Sequence, residues 1–168
     1  MTQAGETKPS KSAQQALTSG RLDAVHCLLI PLQGETLLLP NAAVAEVIGY
    51  SEPDPIADAP AWLLGRISWR ERIIPLISFE AASRGFMQKD GSRIAVLNTL
   101  NNNPRVPYMA ILMQDIPRLC LVQPEMISYE EAETLHPSVA ANVLIDGEPA
   151  VVPDIDDLEK RVANLSQN

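Results

Sequence analysis

LLGRISWRERIIPLISF, residues 63–79, places two apolar runs around Arg70-Glu71-Arg72, with Trp69 just before the charges. Two strand-like runs about a short polar break read as a β-hairpin. Tight hairpins favour Asn-Gly or Asp-Gly at the break, because the central residues adopt positive φ and glycine does so without steric cost. Arg and Glu lack that freedom. The flanking apolar runs still require a hairpin, so this one carries three charges at its tip and no glycine.

Hairpin signals recur on both sides of it. Residues 25–50, VHCLLIPLQGETLLLPNAAVAEVIGY, read as strand, turn at Gln33-Gly34-Glu35, strand, short turn and strand, with Pro31 and Pro40 at strand ends. SEPDPIADAP, residues 51–60, holds three prolines and is an extended connection. AASRGFMQKDGS, residues 81–92, reads as a loop. RIAVLNTL and YMAILM form a further hairpin joined by NNNPRVP, and RLCLV is a strand after Pro117. Residues 130–142, EEAETLHPSVAAN, are irregular or partly helical. VLIDGEPAVV turns at Asp146-Gly147, a favoured two-residue hairpin loop. The chain closes in a helix capped by Asp154, with Asp156 and Asp157 at its positive end and Lys160 and Arg161 toward the negative one. Ile155, Leu158, Val162 and Leu165 recur at helical spacing and make one apolar stripe. About ten short strands and one helix describe a mainly β protein, with the strand spacing of barrels or sandwiches.

Composition narrows the class. At 168 residues and 46% hydrophobic, the chain builds one domain or two small lobes, and with only seven aromatic residues its core is aliphatic. No apolar run approaches the about 18 residues of a membrane span, and residues 1–22 contain no apolar segment resembling a secretory signal. That polar segment is expected to be a disordered tail, and the protein to be cytoplasmic. Cys27 and Cys120 lie in apolar strings, where a free thiol behaves as a small hydrophobe; a disulfide is disfavoured in that compartment. Residues 1–120 carry 11 acidic and 11 basic side chains, so the net charge of −8 resides in residues 121–168, with 10 acidic and 2 basic. Such a surface repels nucleic acid and anionic membranes, which need Lys and Arg at their phosphates.

Candidate chemistry is sparse. His26 and Cys27 are adjacent, so on a strand they face opposite sides, and His136 has no Cys or His at ligand spacing. The run DIDDLE is explained by a capped helix start and DGE by a hairpin turn. No phosphate-cradling glycine motif and no G-x-S-x-G elbow occurs. Neither catalytic, metal nor cofactor-binding residues are assigned.

VAEVIGY, residues 44–50, followed by IADAPAWLLGRISWRERIIPLISF, residues 56–79, resembles the CheW-like family of chemosensory coupling proteins. Val44, Glu46, Pro60, Gly65, Arg70 and Pro75 fall at the family's pattern positions without a gap. The likeness is specific over Val25 to Phe79 and looser from Arg93 to Leu158, where AILMQDIPRLCLV and IDGEPAVVPDIDDL resemble the later segments. It implies two interlocked five-stranded SH3-like β-barrels with a C-terminal helix, spanning residues 23–166. The first lobe would occupy about residues 40–90, and the second about 25–39 with 91–166. It also implies no catalysis and no cofactor. The implied role is an adaptor between a CheA-like histidine kinase and the cytoplasmic tip of a methyl-accepting chemoreceptor. Ser68-Trp69-Arg70-Glu71 departs from the family's Asn-Leu-Arg-Gly, Gln114 stands for an Asp, and Asn142 replaces a usual Gly-Val pair. First-lobe receptor contacts are expected to be retained, whereas the divergent second lobe fits an auxiliary adaptor, one linked to pilus-based twitching motility.

The resemblance nominates Val44, Glu46, Trp69 and Arg70 as partner-binding residues. Arg70 is either read by a partner, with Glu46 holding it, or merely ion-paired to Glu46, which contributes little at a surface. Trp69 is either core or an exposed anchor, and Val44 either strand packing or contact. Arg66 and Arg72 read as a solvated face. The reading from another class is a ligand-binding β-barrel or small enzyme with its site between the lobes, which requires convergent polar groups and shifted pKa values.

Overall fold

The computed structural model describes residues 24–85 and 90–166, so the tail expected at residues 1–22 lies outside the described residues. Eleven strands are present among them: β1 (Val25–Pro31), β2 (Thr36–Pro40), β3 (Val44–Gly49), β4 (Leu63–Trp69), β5 (Arg72–Ile77), β6 (Arg93–Asn98), β7 (Tyr108–Met113), β8 (Arg118–Val122), β9 (Ile127–Tyr129), β10 (Val139–Ile145) and β11 (Glu148–Pro153). Two α-helices accompany them, α1 (Phe79–Arg84) and α2 (Ile155–Leu165).

The strands form a six-stranded sheet, in the order β8-β1-β2-β11-β10-β9, and a five-stranded sheet, β3-β6-β7-β5-β4. The chain starts in the first of these, builds the whole of the second, and returns. The lobes are thereby interlocked as expected, but with two corrections. Strands β6 and β7 were expected in the second lobe; they pair with β3 and, in parallel, with β5. The first lobe therefore runs to Met113 instead of about residue 90. The other sheet has six strands because the three-residue β9 adds to β10.

Strand alternation explains why the apolar runs are so dense. Successive side chains point to opposite faces. On β1 and β2, Cys27, Leu29 and Leu38 enter one core while Ile30, Leu37 and Leu39 enter another. The second of these cores joins the lobes, collecting Ile77, Phe79, Leu97, Met109, Ile111 and Val151 with Ile155, Leu158 and Val162 of α2. A strand buried on both faces has no polar side, and CLLI and LLLP read accordingly.

Local signals hold where they were strong. Gly34, Asp146 and Gly147 have φ of 81°, 48° and 81°, as their turns require. Asp154 caps α2, accepting from the Asp157 amide at 3.0 Å. Arg161 does not lie in the last turn of α2. It donates instead to Ala82 O at 3.2 Å and to the Ser138 hydroxyl at 2.6 Å, and stacks on Trp62 at 4.6 Å. Residues 79–84, of which 81–84 were expected in a loop, form α1. Ser78 caps it by accepting from the Ala81 amide, and Gly85 ends it at φ 68°.

Candidate partner-binding site

Arg70 and Glu71 make the whole of the turn between β4 and β5, since Trp69 pairs directly with Arg72. Their φ values are 43° and 60°. A two-residue loop with both residues left-handed is the turn whose twist matches the strands it joins. Each non-glycine residue there costs roughly 1–2 kcal/mol relative to an ordinary conformation. The hairpin thus retains strain at two consecutive charged residues. Neighbouring contacts hold one of them firmly.

Glu46 on β3 accepts from two groups through one oxygen. The Trp69 indole donates to its Oε2 at 2.7 Å, and Arg70 Nε lies 3.2 Å from the same atom. Because β3 and β4 are the outer strands of the five-stranded sheet, the Glu46–Trp69 bond joins its two edges and curls it toward closure. The Arg70 guanidinium also sits over the Trp69 ring, 4.9 Å from the centroid. Nε is committed to Glu46, whereas the two terminal amino groups have no partner among the described residues. With 66% of its side chain exposed against 38% for Glu46, Arg70 presents a planar fork of donors held at one orientation.

Of the four nominated residues, Glu46, Trp69 and Arg70 meet in one constellation. Val44 does not join it. It is half-buried against the core between the lobes and pairs with Leu97, before a bulge that separates it from Glu46. Trp69 is not an exposed anchor. It is 7% exposed and packs in the first-lobe core with Ile67, Ile74, Leu76, Val96 and Leu112. It supports Glu46 and Arg70 from beneath.

Two members were not anticipated. Tyr108, the first residue of β7, meets the Trp69 ring edge-on at 4.9 Å, and Arg72 lies over the Tyr108 ring at 5.6 Å. Arg72 is therefore more than a solvated charge. No sequence signal links Tyr108 to Trp69, because their proximity depends on the parallel pairing of β5 with β7.

A second polar cluster lies between the lobes, where the alternative reading puts a ligand. Glu35, from the β1–β2 turn, lines an open cleft of about 570 Å³ with Thr36, Arg84, Glu130 and Asn142. Its side chain is 5% exposed and pairs with Arg84 of α1 at 2.9 Å. Burial pushes its pKa up, Arg84 pulls it down, and Glu80 adds a smaller upward push. Glu80, itself buried, accepts from the Gln33 amide and the Ser78 hydroxyl. Both acids tie the β1–β2 turn to α1. The cluster is a latch between the lobes.

Glu71→Gly should raise stability by up to about 1 kcal/mol. It relieves the left-handed strain at residue 71, offset in part by the greater freedom of glycine in the unfolded chain. A thermal melt checks it, with a rise of roughly 2–4 °C expected. A lower Tm would show that Glu71 makes a stabilising contact at the tip.

Comparison of the whole sequence with curated proteins gives no match. Among solved structures, the chain is similar to the scaffolding protein TtCheW from Thermoanaerobacter tengcongensis. The TM-score is 0.64 and the identity 18%, over 77% of this chain and 84% of that one. At that identity the likeness speaks for the fold, and it agrees with the two-sheet arrangement and the C-terminal helix described above. The profile of the CheW-like domain matches residues 26–162, which include both sheets, the strained hairpin and most of α2. The chain belongs to the CheW-like domain family.

Proposed function

We propose that this protein is a coupling adaptor of a chemotaxis-type signalling pathway, and that the Arg70 tip is read by its partner. The adaptor joins a CheA-like histidine kinase to the cytoplasmic tip of a methyl-accepting chemoreceptor. Membership of a non-catalytic scaffolding family supports the class of function. The observation that carries the site is the Arg70 guanidinium. It is oriented by Glu46 and Trp69, raised on a strained turn, and left with its terminal donors without a partner among the described residues. Backbone strain retained at an exposed position is a mark of function more than of stability. Among the described residues no helix is long and apolar enough to cross a membrane. The partner surface that suits such a fork carries a carboxylate or a pair of carbonyl oxygens. A narrower assignment, to pilus-linked twitching systems, draws support from the divergent second lobe, where Gln114 and Asn142 depart from the family pattern.

Arg70→Ala tests the site. Titrated against a receptor-tip fragment, it should lose about 2 kcal/mol of binding, roughly a thirtyfold drop in affinity. The fold should lose under about 1 kcal/mol, because the side chain is mostly exposed. Lysine at the same position should rescue only in part, since it lacks the planar fork. Glu46→Ala should give a milder binding defect by freeing Arg70 without removing it. Parental affinity in Arg70→Ala, or its outright unfolding, would overturn the assignment.

A further inference from the structure

We propose that Cys27 and Cys120 form a reversible oxidation site, a cross-strand dithiol that closes to a disulfide between β1 and β8. The inference does not depend on the role of Arg70. Both cysteines are free thiols in this structure. Strands β1 and β8 are antiparallel, and their register sets Cys27 directly opposite Cys120. Directly opposed residues of an antiparallel pair have Cα atoms about 4.5 or 5.5 Å apart, according to whether they share ladder hydrogen bonds. Both spacings fall within the about 4.4–6.8 Å that a disulfide spans. Opposed residues also project to the same face, and both cysteines enter the core of the second lobe beside Leu29, Leu38 and Val122. The two thiols sense one another, because the charge of Cys120 adds to burial in raising the pKa of Cys27.

Their environments assign an order of reaction. Cys27 is buried, whereas Cys120 is half-exposed on the outermost strand of its sheet. Burial raises the pKa of Cys120, and the neighbouring Arg118 partly offsets this. Hydrogen peroxide is the oxidant class that fits so confined a site. The Cys120 thiolate attacks one peroxide oxygen and the O–O bond breaks. Hydroxide leaves and takes up the proton the thiol released, giving a sulfenic acid and one water. The Cys27 thiolate then attacks the Cys120 sulfur, and the S–O bond breaks with loss of hydroxide. The proton shed by Cys27 makes that hydroxide the second water as the S–S bond forms. Two thiols and one peroxide thus become one disulfide and two waters. Raised thiol pKa values make the first step slow at neutral pH and faster as the pH rises, since only the thiolate reacts. The bond would fasten the edge strand β8 and enclose β2 through β7 in a single covalent loop.

The test exposes the reduced, folded full chain to hydrogen peroxide at mildly alkaline pH and follows its intact mass. A monomer lighter by two hydrogens is expected, with no titratable thiol and full reversal by dithiothreitol. Peptide mapping of the oxidised parent protein should recover the Cys27 and Cys120 peptides linked, a measurement that needs no variant. Cys120→Ser and Cys27→Ala should each abolish the lighter species, with oxygen adducts at Cys120 accumulating in Cys27→Ala and Cys27 staying a free thiol in Cys120→Ser. The proposal is overturned if peptide mapping places the added oxygen on Cys27 or Cys120 of the parent, if dimers linked between chains form, or if both thiols stay free; oxygen on the five methionines does not bear on it.

Discussion

Trp69→Ala should lower the stability of the fold by about 3–5 kcal/mol, the range for removing a buried tryptophan from a packed core. The indole is 7% exposed and fills the first-lobe core against Ile67, Ile74, Leu76, Val96 and Leu112. Alanine leaves a cavity there and takes away the edge contact with Tyr108. It also removes the 2.7 Å bond to Glu46 that joins the two outer strands of the sheet. For a domain of this size the loss corresponds to a fall in Tm of roughly 6–20 °C. Trp69→Phe separates the two contributions. It keeps most of the ring and deletes the N–H, so its cost should be nearer the about 1.5–3 kcal/mol of a hydrogen bond to a charged group, and toward the lower end because water reaches Glu46. Phenylalanine should also weaken binding of the receptor-tip fragment, since Glu46 then holds Arg70 less firmly. A Trp69→Ala variant that melts within about 1 kcal/mol of the parent would contradict the packing role of the indole.

Gly65→Ala should cost roughly 3 kcal/mol or more, although it adds a single methyl group. Gly65 sits at the bulge in β4 with φ 147°, a conformation that side-chain-bearing residues rarely adopt. A Cβ built there would lie 2.3 Å from Asp54 O and 2.9 Å from Asp54 C. These atoms belong to the backbone and are held in place. Asp54 and Arg66 exchange hydrogen bonds of 2.8 and 2.9 Å, which fasten the proline-rich connection along the edge of β4. Relief would require breaking that bridge, so overpacking of about 1–3 kcal/mol adds to the backbone strain. The expected fall in Tm is roughly 6–12 °C. A melt unchanged from the parent would mean that the connection moves aside freely. The matching position in the family pattern is also glycine, and the close approach of Asp54 supplies the physical reason.

How far the sequence could be read depended on the range of the physics behind each signal. Asp146-Gly147, Gly34 and the Asp154 cap act within a few residues, and each lies where local chemistry placed it. The stripe of Ile155, Leu158 and Val162 required only a helical period and one apolar surface to meet, whereas Leu165, expected in the same stripe, is exposed at the end of the helix, beyond the core. Even α1 left local marks, Ser78 before it and Gly85 after it, although six residues following a strand were too few to stand out. The family likeness of residues 44–79 was legible because it resides in contiguous motifs.

Tertiary structure alone decided the rest. Strands β6 and β7 are as apolar as those of the other lobe, so nothing in their composition says which sheet they enter. Their membership follows from the parallel pairing of Leu76 with Ala110, a contact between distant parts of the chain. For Trp69 the sequence leaned to a core position without excluding an exposed anchor, and only the arrival of Tyr108 and Glu46 beside it decided between them. Cys27 and Cys120, two unremarkable hydrophobes in sequence, became opposed only when β8 paired with β1. The charged tip belongs to both levels. Its residues were plain in the sequence, but their left-handed backbone, and the neighbours that hold Arg70 there, exist only once β3, β4 and β5 share a sheet. Turns, caps and periods are set by sterics and hydrogen bonds within a few residues, whereas strand pairing is chosen by burial summed over the whole molecule.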